Sequence, residues 1–123
     1  MATDFSAEIE RLRHTYASIA AVTDPEALRA RIAELSEAAA APDLWDDPEA
    51  AQAVTSDLSH AQAELGRVQE MGSRIDDLEA MVEMAGEESG KDADDLLAEA
   101  AADLAAISED LSELEIRTLL SGE

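Results

Sequence analysis

Apolar positions recur along this chain with helical spacing almost from its first residue. Phe5, Ile9, Leu12, Tyr16 and Ile19 are separated by steps of 4, 3, 4 and 3, which puts all five on one face of a helix. Glu8, Glu10, Arg11 and Arg13 fall mostly off that stripe. The pattern predicts an amphipathic helix over about residues 4–22, with Thr3 as cap and Asp4 in the first turn, where negative charge meets the positive end of the helix dipole. Thr23-Asp24-Pro25-Glu26 then restarts the chain. Two caps fit: a capping box of Thr23 with Glu26, or Asp24 as cap with Pro25 at the first helical position. Leu28, Ile32, Leu35 and Ala39 supply the face of a second helix reaching about residue 40. The short connection predicts that the first two helices pair as an antiparallel hairpin.

A longer pattern follows. From Pro48 to about Gly86 the apolar positions are Val54, Leu58, Ala61, Leu65, Val68, Met71, Ile75, Leu78 and Val82. Their spacing alternates between 4 and 3, apart from two successive steps of 3 across Leu65, Val68 and Met71. A sustained alternation of this kind is a coiled-coil seam, and the irregular step shifts its phase. Gly66 and Gly72 flank the shift and predict a weak point in one long helix. The polar, glycine-containing stretch Gly86–Asp92 predicts a turn. Leu97, Ala100, Leu104, Ile107, Leu111 and Leu114 then form a second seam, continuing through Thr118. Arms of this length would each run about 40 to 55 Å. The expected fold is therefore all-α, a single helical domain over 1–123: a short helical hairpin followed by a long antiparallel coiled-coil-like hairpin, packed as a helical bundle. Apolar residues on more than one face of Leu114–Leu120 predict extra packing at the C-terminal end, against the first hairpin or against something further on. Gly122 reads as a helix stop.

Between the second and third helices the periodicity stops. Pro42-Asp43-Leu44-Trp45-Asp46-Asp47-Pro48 holds the only Trp of the chain and two of its three prolines. Pro42 ends one helix. Asp47 and Pro48 restart another, as cap and first helical residue. Leu44 and Trp45 sit just before that cap, where apolar side chains can staple onto the new helix. Leu44, Trp45, Asp47 and Pro48 are accordingly expected to be structural anchors, with Trp45 packed into the corner. A role as a partner contact is the alternative for Trp45.

Composition narrows the function. The 30 acids and 8 bases give a formal charge of −22, a surface that repels phosphate and disfavours direct binding to nucleic acid or to anionic membranes. It suits a basic protein partner, or simply a solvated exterior. No Cys is present, so there is neither a disulfide framework nor thiol chemistry. The N-terminus lacks the apolar run of a signal peptide, and no stretch is apolar enough to span a bilayer. The chain reads as soluble and cytoplasmic.

Candidate chemistry is sparse. His14 and His60 each lack a second ligand at metal-binding spacing. Asp43, Asp46, Asp47 and Glu49 lack the alternating spacing of a calcium loop, and helix capping accounts for Asp47 and Glu49. Asp92, Asp94 and Asp95 fall at the start of a helix, where acids complement the dipole. No glycine-rich phosphate loop and no paired nucleophile and base can be drawn. The sequence predicts no catalytic, cofactor or metal site.

The Pro42–Pro48 stretch followed by Ala51-Gln52, the long helical hairpin, and the ending Leu114-Glu115-Ile116-Arg117-Thr118-Leu119-Leu120-Ser121-Gly122-Glu123 together resemble the N-terminal region of the bacterial peptide chain release factor 2 family. The resemblance covers essentially the whole chain. It implies a role in ribosomal translation termination at UAA and UGA codons. It also implies that this helical region lies near the factor-binding region of the large ribosomal subunit and the GTPase release factor. The family reads the codon through a Ser-Pro-Phe triplet and promotes peptidyl-tRNA hydrolysis through a Gly-Gly-Gln triplet. Neither occurs in this sequence, so no catalytic residue is carried over and this chain is expected not to be an enzyme. The competing expectation is an independent acidic coiled-coil interaction module, an adaptor or chaperone-like hairpin. Helical seams can also be satisfied between chains, so a homodimer is a further expectation.

Overall fold

A computed structural model describes residues 4–121. Four α-helices and one short 3-10 turn account for nearly all of them: α1 over Phe5–Thr23, α2 over Pro25–Ala39, the 3-10 turn over Leu44–Asp46, α3 over Pro48–Glu87 and α4 over Gly90–Ser121. Among the described residues there is no strand. The all-α helical bundle read from the sequence is what the chain forms.

The helix starts follow local chemistry. Thr3, expected to cap α1, lies outside the described residues. Asp4 itself performs that function: its Oδ1 accepts a hydrogen bond from the Ala7 amide at 3.1 Å, while its carbonyl accepts from the Glu8 amide. At the next junction the Asp24 reading holds and the capping box does not form. Thr23 remains helical as the last residue of α1, and its buried Oγ1 has no hydrogen-bond partner. Asp24 adopts a left-handed conformation with φ 53°, and its carboxylate accepts from the Ala27 amide, with Pro25 at the start of α2. Asp tolerates this conformation better than most side chains because its short carboxylate can bond locally. One residue therefore both ends α1 and caps α2.

The chain divides into two compact units: Met1–Val22 with Glu70–Glu123, and Thr23–Gln69. The two leading helices, expected to pair with each other, thus belong to different units. The first unit is built from α1, the second half of α3, and α4. Its core consists of Ile9, Leu12 and Ile19 from α1, Met71, Ile75, Leu78 and Ala85 from α3, and Ala100, Leu104, Ile107, Leu111 and Leu114 from α4. Arg13 pairs with Asp76 at 3.1 Å and Glu79 at 2.5 Å, while Tyr16 lies over Gly72. The contacts descend α3 as they ascend α1, so these two helices are antiparallel. Arg74 bonds Asp110 at 2.8 Å, which fixes the register of the α3–α4 hairpin. The Arg13 guanidinium is held above its ordinary pKa, chiefly by its hydrogen bond to Glu79; desolvation opposes this, and Asp76 adds to it. Stability from a raised pKa is lost only as pH climbs through that raised value, which for an arginine lies beyond working conditions.

The seam of α4 differs from expectation at one step. Leu97 is 37% exposed, whereas Leu96 is half-buried and Ala100 is fully buried. At about 100° per residue, Leu96 lies about 40° from the direction of Ala100 and Leu97 about 60°. Leu104, Ile107, Leu111 and Leu114 scatter within about 40° on either side, so Leu96 falls inside the stripe and Leu97 outside it. The turn is also tighter than the sequence predicts. α3 continues to Glu87 and α4 starts at Gly90, which leaves only Glu88 and Ser89 between them. Gly90 makes this feasible with φ +65°, a conformation that costs glycine nothing. At the far end of α4, Ile116, Leu119 and Leu120 are exposed by 57%, 47% and 82%. Leu114 is buried, so the extra apolar positions of this stretch that stay uncovered among the described residues are Ile116, Leu119 and Leu120. The stop expected at Gly122 lies outside the described residues.

The second unit is a hairpin of α2 with the first half of α3. Leu28, Ala51, Ala61 and Val68 are buried, with Ile32, Leu35, Val54, Leu58 and Leu65 half-buried. Arg31 faces Asp57 at 3.7 Å, and a groove beside them runs from Thr23, Ala27 and Leu28 to His60, Ala61 and Glu64. This pairing is antiparallel, and its connecting corner is the Pro42–Pro48 stretch. α3 itself remains unbroken through Gly66 and Gly72. The boundary between the units, at Gln69–Glu70, falls between those two glycines.

Candidate functional site: the Pro42–Pro48 corner

The corner is built by backbone hydrogen bonds, one after another. The Ala40 amide donates to Ser36 and Glu37, and the Ala41 amide to Ala38, closing α2. Leu44 donates to the Ala41 carbonyl at 3.2 Å, Asp46 to Asp43 at 3.1 Å, and Asp47 to Leu44 at 3.2 Å. These successive bonds make the 3-10 turn over Leu44-Trp45-Asp46. The Asp47 carbonyl then accepts from the Ala51 amide at 3.0 Å and its Oδ1 from the Ala50 amide at 3.3 Å. Pro48 takes the first helical position, where its missing N–H costs nothing. Ala51, unremarked in the hydrophobic pattern, is fully buried one turn into α3.

Trp45 does not lock this corner. Its side chain is 62% exposed, and Leu44 is only half-buried. The expectation of a packed indole is corrected for a geometric reason. Within a single 3-10 turn, neighbouring side chains point in directions about 120° apart. Leu44 turns toward the protein, and Trp45 is carried outward. Asp43, Asp46, Asp47, Pro48 and Glu49 are exposed around it.

The electrostatics are one-sided. Between Arg31 and Arg67 the sequence has eight acids (Glu34, Glu37, Asp43, Asp46, Asp47, Glu49, Asp57 and Glu64) and neither Lys nor Arg. The last turn of α2 has no basic residue, so the negative end of its dipole adds to the same field. Among the described residues, none of Asp43, Asp46, Asp47 or Glu49 forms an ion pair. Asp43 also has no side-chain capping bond.

Open grooves are also present among the described residues. That between α2 and α3 has a volume of about 350 Å³ and contains Arg31, Asp57 and His60. A second, also about 350 Å³, lies at the α3–α4 turn between Met84, Leu96 and the acids Glu88, Asp92, Asp95 and Glu99. His14 lines a shallow third with Glu10 and Arg11, so the structure leaves the two histidines in separate units. Among the described residues, no three His, Cys, Asp or Glu side chains converge as a metal site would need. Among the described residues, no helix is long and apolar enough to cross a membrane. Met84, which the sequence pattern does not single out, is also exposed.

Comparison with known proteins bears on this arrangement. The PCRF domain model matches residues 28–123, which includes the corner, α3 and α4. Peptide chain release factor 2 of Beutenbergia cavernae is 66% identical over 123 residues, covering 100% of this chain and 32% of that protein. The protein of the same name from Kineococcus radiotolerans is 58% identical over 123 residues, covering 100% of this chain and 33% of its own length. That of Mycobacterium sp. strain KMS is 49% identical over the same span and share. The chain thus spans about a third of the length of the curated relatives it matches. With most of its length matched by the family model, the chain belongs to the PCRF domain family.

Proposed function

We propose that this chain serves as the helical domain of a translation termination factor of the release factor 2 type, acting at UAA and UGA codons on cytoplasmic ribosomes. The observation that carries the reading is identity of 66% across the entire chain to a protein of that name. Within such a factor the domain is non-catalytic. It contributes surface, contacting the factor-binding region of the large subunit or the GTPase release factor. Two features support this division. The chain holds neither a Ser-Pro-Phe nor a Gly-Gly-Gln triplet, and its charge of −22 disfavours direct contact with phosphate. The family match favours this reading over a free-standing adaptor.

Ribosomes carrying formyl-methionyl-tRNA and a UGA codon in the decoding site provide the test. Added alone, the chain is expected to release no formyl-methionine above the factor-free background. Release at UGA or UAA would overturn the non-catalytic assignment. Co-sedimentation with large ribosomal subunits, with and without the GTPase factor, tests the partner assignment; failure to bind in both conditions would overturn it. Most seam positions are buried or half-buried within one chain, which favours a monomer over a homodimer. Light scattering is expected to give the monomer mass of 13.1 kDa, and twice that value would refute it.

A further inference from the structure

We propose that Trp45 and the carboxylates around it form a docking site for a Lys/Arg-rich protein segment, with a guanidinium or ammonium group seated on the indole face. Three observations support the assignment. The indole is 62% exposed on a turn closed by backbone hydrogen bonds that do not use its side chain, so its side chain is not needed to build the corner. A large aromatic held on a rigid turn presents contact area at little entropic cost, which is why Trp is enriched among the residues that dominate interfaces. Second, the surroundings are selectively cation-seeking: Asp43, Asp46 and Glu49 are exposed and without ion pairs among the described residues. Third, the chain supplies no cation of its own between Arg31 and Arg67, so nothing within the hairpin's corner competes for the indole face.

The chemistry of the occupant follows from charge. A cation over an indole face is attracted by the ring quadrupole, and Trp is the best of the aromatic acceptors. Flanking carboxylates strengthen that preference and repel phosphate, which excludes a nucleic-acid backbone or an anionic lipid surface. A second copy of this chain, itself at −22, would also be repelled. A basic protein segment meets all the conditions, with Arg favoured because its planar guanidinium can stack on the ring and bond a carboxylate at the same time. The inference does not depend on the release-factor reading; it holds for any function of the chain.

The test uses the whole chain and a hexa-arginine peptide as probe, with affinity measured by isothermal titration calorimetry at physiological salt. Trp45→Ala is expected to weaken binding by about 5- to 30-fold, the factor that a cation–π contact of about 1 to 2 kcal/mol represents. Asp43→Asn combined with Asp46→Asn is expected to weaken binding more than Asp92→Asn combined with Asp94→Asn, which removes the same charge from the start of α4. Because Trp45 is the only Trp, the peptide should also shift its emission directly. Circular dichroism of each variant confirms that the helices are retained. Two results would overturn the proposal: Trp45→Ala binding within twofold of the parent, or equal losses from the two Asp pairs, which would make the attraction a property of net charge alone. A concentration-dependent blue shift of Trp45 emission without peptide would assign the indole to self-association and overturn it too.

Discussion

Gly66 and Gly72 sit in the same helix and should respond oppositely to the same substitution. In a helix interior, Gly→Ala stabilises by about 0.8 to 1.0 kcal/mol through lost backbone freedom in the unfolded chain. A Cβ at Gly66 would meet nothing within 4 Å, so Gly66→Ala should realise that gain in full. For a chain of this length the unfolding entropy is about 0.26 kcal/mol/K, which makes the gain worth about 3 to 4 °C in Tm. At Gly72 a Cβ would stand 2.8 Å from Tyr16 Oη and 3.1 Å from its Cζ. The ring of Tyr16 is half-buried on α1 and must move to admit the methyl group. Overpacking of this kind costs about 1 to 3 kcal/mol, so Gly72→Ala should be neutral to destabilising by about 2 kcal/mol once the helical gain of about 1 kcal/mol is subtracted. Urea unfolding followed by circular dichroism measures both. A double-mutant cycle with Tyr16→Phe, which removes the nearest atom, should recover at least about 0.5 kcal/mol of the Gly72→Ala loss. If Gly72→Ala raises the midpoint as much as Gly66→Ala while Tyr16 is intact, the close packing of Tyr16 on Gly72 is refuted.

Other substitutions probe the remaining assignments. Trp45→Ala should change stability by less than about 0.5 kcal/mol, as expected of an exposed side chain, and the parent's Trp emission should be that of a water-exposed indole; a loss of about 3 kcal/mol or more would mean the ring is packed after all. Asp47→Ala should cost about 1 kcal/mol by removing the carboxylate that caps α3, and urea midpoints matching the parent would show that the cap carries no weight. Ile107→Ala, at a position 3% exposed, should cost about 2 to 5 kcal/mol, whereas Leu97→Ala should be nearly silent. Equal losses at the two positions would restore Leu97 to the seam.

The helices and most core positions were legible because burial among the described residues follows a single periodicity, undisturbed by strands or by fully buried charged residues. Failures came where a choice between adjacent residues had to be made. Leu96 and Leu97 both fit a step of 3 or 4 from Ala100, and only the averaged direction of the whole stripe separates them. Leu44 and Trp45 posed the same problem in a tighter helix, and the larger side chain proved to be the outward one. Partner choice was hidden for a different reason. An apolar stripe states that a helix is covered, but not by which neighbour, so α1 and α2 looked like each other's partners. Long-range contacts such as Arg13 with Glu79 and Arg31 with Asp57 assign them instead to different stretches of α3. The corner could be placed and its caps named from sequence. Its function as a surface could not, because exposure of Trp45 depends on the phase of the 3-10 turn and not on its composition.

The imbalance of charge makes dissolved salt part of the fold. The described ion pairs engage Glu8, Asp57, Asp76, Glu79, Asp95 and Asp110, out of 30 acids in the chain. Compaction therefore brings many like charges together, and surface pairs worth about 0 to 1 kcal/mol each do little to offset them. Raising monovalent salt from about 10 mM to 150 mM shortens the screening length from about 30 Å to about 8 Å. Tm should climb over that interval, the reverse of what a fold held by its ion pairs would do, and a flat or falling curve would show that the pairs outweigh the repulsion. Counter-ions that occupy no defined position thus act as a stabilising ligand of the folded chain, bound by its average field instead of by any one site.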